Sequence, residues 1–378
     1  MGQDNHDVLK RTWGFFIGAT ALALAVTSVV RAPGMGHDPA PLRPSFGQGE
    51  YFPYQSGAFT RFVGDSYKEA DGGQVSDFYA WMDGACGRAR LCSPAGTRVL
   101  AMVDSRRRTL DTISAPRQRT QAEMALASTL HHWIKTSLPT FSLEEGFEFS
   151  NVARRGERQC LLQSVLLAAL LQEADIDAGV VMVYKNVGGH VSNNGHCVTL
   201  LKCSDGTDVL VDASDAQPFV RHQGVFAKDA LRKEYRYAEP VFLDPRSPII
   251  VSYQNPAHDA KATTRALRPL DVDFLRSQFD YYRGERAHGG LLSPEATDKG
   301  LALEAHYLRA SVHSCPQNPL PVYMLGRVEW RRSHPSEARR QLTRADRLYH
   351  AAGWVPSGLR DAQHDAHMAE SDPPRPRA

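Results

Sequence analysis

Cys160-Leu-Leu-Gln-Ser-Val-Leu-Leu-Ala-Ala-Leu-Leu171 is apolar on nearly every side of a helix. A helix with no polar face belongs in the middle of a core, because each of its sides needs an apolar neighbour. The segment therefore predicts a central helix starting near Cys160. Downstream, Gly179-Val-Val-Met-Val-Tyr184 reads as a strand, as do His196 to Lys202 and Asp208 to Asp212. Ser204-Asp205-Gly206-Thr207 between the last two is a hairpin signal. One buried helix followed by antiparallel strands predicts an α+β domain.

The same stretch places chemistry. A reactive cysteine needs a lowered pKa, since the thiolate is the nucleophile. The unpaired N–H groups and positive dipole end of a helix N-terminus favour that anion. Cys160 follows Gly156-Glu-Arg-Gln159 at such a helix start. His196 is a candidate to take the thiol proton and return it to a leaving group. Asp212 is the candidate to orient the imidazole and stabilise its charged form. His190 is the alternative base, in a glycine-rich stretch over 185–195 that reads as a flexible loop. The oxyanion formed on attack needs donors. The Cys160 backbone N–H is the default, and the Gln159 side chain is a further candidate. The opposing reading of each residue is structural: a core cysteine, a strand histidine, a strand-ending aspartate.

Hairpin parity constrains the triad. Side chains alternate faces along a strand. A two-residue turn at Asp205-Gly206 sets His196 opposite Asp215 and sends Asp212 to the other face. A three-residue loop, Ser204-Asp205-Gly206, sets His196 opposite Ser214 and leaves Asp212 diagonal on the same face. Gly206 can supply the left-handed position that a three-residue loop needs, so the longer loop is expected.

These residues resemble the transglutaminase-like superfamily, a papain-like group of Cys-His-Asp enzymes. The matching pieces are Gly156-Glu-Arg-Gln-Cys160, Ala178-Gly-Val-Val-Met-Val183, Gly195-His196-Cys-Val-Thr-Leu200 and Leu210-Val-Asp212-Ala-Ser214. The helix around Trp133 matches the one that commonly precedes the cysteine. Spacings of 36 residues from Cys160 to His196 and 16 to Asp212 fit the pattern. The likeness covers about residues 118–220. Cys197 departs from it, standing where the family often has a small residue, and the usual tryptophan just beyond is missing. The resemblance implies a papain/transglutaminase-like core, with the nucleophile helix packed on an antiparallel sheet. It also implies acyl-enzyme chemistry on the amide bonds of a protein or peptide, by hydrolysis or by transfer to an amine. Hydrolysis is favoured, since no separate acceptor site is visible. The rival is the same fold without activity, a scaffold for a protein or cell-wall partner.

The chain's ends read differently. Residues 12–30 are uncharged, preceded by Lys10 and Arg11, and long enough to cross a bilayer as a helix. Basic residues before the segment favour an inside N-terminus and an extracytoplasmic bulk. A cleaved signal, giving a secreted protein, is the alternative. Residues 1–31 are thus read as anchor or signal and 32–50 as a Pro/Gly-rich linker. Residues 51–117 form an extension of unclear fold in which Arg98 to Asp104 suggests a strand. The catalytic domain is set at 118–255. Within it Thr120 to Thr136 reads as an amphipathic helix, with Thr120 and Glu123 as a candidate capping box; residues 139–158 are irregular. Over 268–352, Val322, Leu325, Gly326, Ala338, Leu342 and Ala345 match the tetratricopeptide helix pair. Such a repeat-like segment suits protein binding, although helices that merely cover the core would read the same way. Residues 353–378 are mostly a disordered tail.

Composition bounds the rest. A net charge of +2 carries no large field that would argue for nucleic acid. No phosphate-binding loop, dinucleotide fingerprint, zinc finger or EF-hand is visible, so no cofactor or metal is expected. A zinc site on His196, Cys197 and Cys203 is disfavoured because Cys197 and Cys203 lie roughly 20 Å apart along one strand. Of six cysteines, Cys86 and Cys92 are close enough in sequence for a small bridged loop, with two unpaired thiols as the alternative.

Overall fold

Gln172, near the end of the central helix, ties three backbone segments together. The computed structural model describes residues 49–368 apart from 71, 90, 92–97, 233 and 257–259. The N–H of Phe52 donates to Gln172 Oε1 at 2.7 Å, and Gln172 Nε2 donates to the carbonyls of Glu50 at 3.0 Å and Ala178 at 2.8 Å.

The elements run as helices α1 (Gly57–Glu69), α2 (Val75–Arg88), α3 (Val99–Asp111) and α4 (Pro116–Ser137), the short strand β1 (Thr140–Phe141), α5 (Phe149–Arg155), β2 (Glu157–Arg158) and α6 (Cys160–Glu173). Strands follow: β3 (Ala178–Lys185), β4 (Val191–Lys202), β5 (Asp208–Val211), β6 (Gly224–Asp229), β7 (Tyr235–Phe242), β8 (Ile249–Asn255), β9 (Ala260–Thr263) and β10 (Leu267–Arg268). The chain then returns to helices α7 (Val272–Glu285), α8 (Asp298–Ser314), α9 (Pro319–Arg331), α10 (Pro335–Ala352) and α11 (Ser357–Met368).

The central helix α6 is buried at every residue from Cys160 to Gln172. It stops in a left-handed turn. Asp175 has φ 60°, its N–H bonds the Gln172 carbonyl, and the Ile176 N–H reaches back to Leu171. That pairing satisfies two of the helix's last carbonyls.

The expected antiparallel sheet under the nucleophile helix is corrected to a closed barrel. Neighbouring strands run β6-β3-β4-β5-β8-β7, and β7 pairs back onto β6, all antiparallel. Closure leaves six strands without free edges in the ring. Val181, Val183, Val198, Leu200, Leu210 and Val225 fill the interior. The alternate residues, Val180, Met182, Tyr184, Cys197 and Leu201, face the main core that contains α6. The β4–β5 ladder sets Thr199 opposite Val211 and Lys202 opposite Asp208, with Gly206 at φ 88°. This is the register of the three-residue loop. By alternation His196 and Asp212 share the interior-facing parity of Leu200 and Leu210, while Cys197 faces α6.

Other expectations change. Arg98 to Asp104 lies at the start of helix α3, where Val99, Met102, Val103 and Leu110 are buried at helical spacing. Helix α4 begins at Pro116, so Thr120 and Glu123 are interior to it and cap nothing. They grip the hairpin instead. The Ser204 N–H donates to Glu123 Oε2 at 3.0 Å, and that of Asp205 to Thr120 Oγ1 at 3.1 Å. Strand β4 already begins at Val191, so only the turn around 186–190 remains of the expected loop. The transmembrane architecture is not supported. Residues 12–30 lie outside the described residues, and among those described no helix is long and apolar enough to cross a membrane.

The C-terminal helices pack onto the main core. One apolar cluster runs from α6 through Phe274 and Leu308 to Leu342 and Tyr349. Gly326 of α9 lies so close to α10 that a Cβ there would sit 2.8 Å from Leu342 Cγ. Trp354 stacks on Tyr184 of the barrel at 4.3 Å between centroids. Cys86 is buried and disulfide-bonded, whereas Cys92 and the residues from 369 onward lie outside the described residues.

Replacing Gln172 by Ala removes the side-chain partner of one buried backbone donor and two buried acceptors. A loss of about 2–4 kcal/mol in urea unfolding is expected. An unchanged unfolding midpoint would show that these bonds contribute nothing.

Candidate active site

Cys160 is the first residue of α6, after Gln159 in extended conformation (φ −148°, ψ 166°). Its backbone N–H belongs to the first helical turn, where no intrahelical acceptor exists. Helix and strand are locked beside the thiol. Ser164 Oγ donates to the Cys197 carbonyl at 3.0 Å, and Thr199 Oγ1 donates back to the Ser164 carbonyl at 3.1 Å. The Cys197 side chain faces Cys160 and also contacts Met182 Sδ at 3.2 Å.

His196 lies on β4 opposite Val183. Gly195 before it has φ 73°, and a Cβ there would sit 2.9 Å from both Met182 Cε and Tyr184 Cε1. Only glycine brings the strand this close. His196 Nε2 donates to Asp212 Oδ2 at 2.9 Å, and the thiol of Cys160 is a neighbour of the same ring. Asp212 follows β5. Its Oδ1 accepts from the Ser214 N–H at 2.8 Å, and its Oδ2 accepts a second ring donor, His222 Nε2, also at 2.9 Å. Helix α4 holds this loop from outside: Lys135 Nζ donates to the Ser214 carbonyl at 3.1 Å, and His131 Nε2 lies 3.2 Å from the Asp215 carbonyl.

The electrostatics favour an ion pair. The hydrogen bond from Cys197 is the leading influence on the Cys160 thiol. Burial opposes it, and the charge and hydrogen bond of His196 add to it, so the thiol ionises well below its ordinary range. For His196 burial works against the charged ring, but Asp212 and Cys160 overcome it and hold the imidazole well above its usual value. Burial likewise opposes ionisation of Asp212, yet His196 and His222 hold its carboxyl well below the usual carboxylate range. These directions together favour a thiolate beside an imidazolium, backed by a buried carboxylate. The His196 side chain keeps 30 % of its surface exposed, which leaves it open to a reacting molecule.

The three triad candidates are thus brought together. Gln159 adjoins them; it is 2 % exposed, and its Oε1 has no partner among the described residues. The unpartnered oxygen can only accept, so an oxyanion role for this residue falls to its Nε2 donor. His190 is not part of the site, being exposed in the turn before β4. Asp215 uses its carboxylate on the Gln217 N–H instead.

Two contributors escape sequence reasoning. His222 carries no local motif. Tyr282 comes from α7, and its hydroxyl lies 3.8 Å from Cys160 Sγ. Arg286 stacks over that ring at 4.4 Å. The nearest available signal was the apolar and aromatic periodicity of residues 272–285, which marks a packed helix but not its neighbour. The donor atoms of His196, Asp212 and His222 also lie within 4.8 Å of one another, close enough to share a metal ion. No protein-family model, curated protein or solved structure matches this chain.

Iodoacetamide at neutral pH is expected to alkylate Cys160 ahead of Cys197, Cys203 and Cys315, as read by peptide mass spectrometry. Burial raises the thiols of the other three. Equal labelling of all four in the folded protein, or none at Cys160, would contradict the ion pair.

Proposed function

We propose that this chain is a thiol enzyme acting on amide bonds of a peptide or protein through an acyl-enzyme intermediate, in the manner of the transglutaminase-like proteins its sequence resembles. The observation that carries the reading is the thiol at the head of α6 beside a histidine whose Nε2 lies 2.9 Å from buried Asp212.

The chemistry follows from that geometry. The Cys160 sulfur attacks the carbonyl carbon, and a C–S bond forms while the carbonyl electron pair moves onto oxygen. The Cys160 N–H and the Gln159 amide stabilise that oxyanion. His196 passes its ring proton to the leaving nitrogen as the C–N bond breaks, which leaves a thioester. His196 then takes a proton from water, hydroxide adds to the thioester carbonyl, and the C–S bond breaks to release the acid. The thiolate and imidazolium are restored. An amine in place of water would give transfer instead; hydrolysis is favoured because no separate acceptor site is visible in the sequence. The disulfide at Cys86 supports an oxidising, extracytoplasmic location.

One observation favours the second reading, a scaffold without turnover. Cys160 is 8 % exposed and lies under the Tyr282 hydroxyl. The two readings part on turnover.

Fluorogenic peptide amides screened against the protein should reveal an activity that Cys160→Ala lowers by at least about 10³-fold, with unchanged circular dichroism. The rate should rise as pH climbs through the depressed Cys160 value, where the thiolate forms. It should fall as pH climbs through the raised His196 value, where the imidazolium loses its proton. A folded Cys160→Ala protein with full turnover would end this reading.

A further inference from the structure

We infer that His222 is a fourth, positioning member of the site, which fixes the Asp212 carboxylate so that it can hold His196 against Cys160; this rests on the thiol reading proposed above. His222 stands in the short segment between the Asp212 loop and β6, ten residues from Asp212 and on no regular element. Its side chain is buried. Its Nε2 lies 2.9 Å from Asp212 Oδ2, the oxygen that also receives His196 Nε2. The two rings are tilted by 59° with centroids 5.8 Å apart, so they approach the carboxylate from different directions.

The protonation pattern follows from the partners. A carboxylate can only accept, so both Nε2 atoms carry hydrogen. The Nδ1 of His222 is buried with no partner among the described residues. His222 therefore serves Asp212 as a donor through Nε2. Asp212 has little rotational freedom left, since Oδ1 is held by the Ser214 N–H and Oδ2 by two rings. Without His222, Oδ2 keeps one ring donor beside an emptied volume, and the carboxylate can turn away from His196. An opposite effect exists: an Oδ2 relieved of one donor pulls harder on His196. The inference is that orientation outweighs this pull.

The readout is the pH profile of Cys160 alkylation by iodoacetamide in the full chain, in wild type, His222→Ala and His222→Gln. Glutamine can place an amide N–H near the position of Nε2. The other ionisable groups around the reacting pair stay constant across the series: Cys197 on β4, Tyr282 on α7, Arg286 just after α7, and His131 and Lys135 on α4. His222→Ala should move the acid limb up by about one pH unit and so slow alkylation about tenfold on that limb, where the thiolate is partly protonated, the loss expected for one charge-assisted hydrogen bond. His222→Gln should recover most of both. Wild-type or faster alkylation in the folded variants overturns the inference and leaves the thiol reading standing. Equal loss in both variants also overturns it, because ring volume rather than the N–H would then be what matters. If His222→Ala fails to fold, the glutamine variant alone decides: a profile near wild type supports the role, and the full loss contradicts it. An ordinary thiol profile for Cys160 in the wild type would instead overturn the underlying reading.

Discussion

The burial of α6 on all sides is the constraint on which the rest of the structure depends. From Cys160 to Gln172 no residue reaches solvent freely, so apolar surface has to surround the helix. The barrel wall of β3 and β4 covers one side, and α3 and α4 cover others. Enclosure fixes the helix in position and direction. It also means that its N-terminus, with its unpaired N–H groups, opens at one defined place. That place is where β4 presents His196 and Cys197.

The barrel then settles which side chains meet. Interior-facing positions near one end hold Lys202, Asp208 and Tyr253, bonded to one another at 2.8–2.9 Å. Interior parity toward the other end holds His196 and Asp212. The same alternation that sends Leu200 and Leu210 into the apolar centre therefore aligns the imidazole with its carboxylate. Cys197, one residue out of phase, faces α6 and contacts the thiol. Buried charge of this kind is costly unless paired and hydrogen-bonded, and at Asp212 every carboxylate oxygen has a donor.

Much of this was legible in residues 156–214. The featureless apolar run marked the buried helix, the Ser204-Asp205-Gly206 turn marked the register, and register with parity linked His196 to Asp212. Ring closure was not legible, because it depends on β6 pairing with both β3 and β7, a long-range choice that alternation within one strand does not encode. The opening helices were missed for a local reason. Residues 98–104 hold a compact apolar run, and short runs of that kind do not separate strand from helix. Thr120 and Glu123 resembled a cap, yet they bind a loop some 80 residues away in sequence. His222 and Tyr282 reach the site only through tertiary packing. Residues 12–30 read as an anchor by length and hydropathy alone, and no described helix supports a membrane span.

The central claim is that Cys160 stands as a thiolate beside a charged His196 at neutral pH. Its most direct measurement is the ultraviolet thiolate absorbance of the full chain titrated with pH, with the titration of Cys160→Ala subtracted. The account predicts that the difference signal is already present at neutral pH and disappears only on acidification, as the depressed thiol takes up its proton. A difference signal that emerges only near the ordinary thiol value of about 8.5 would contradict it.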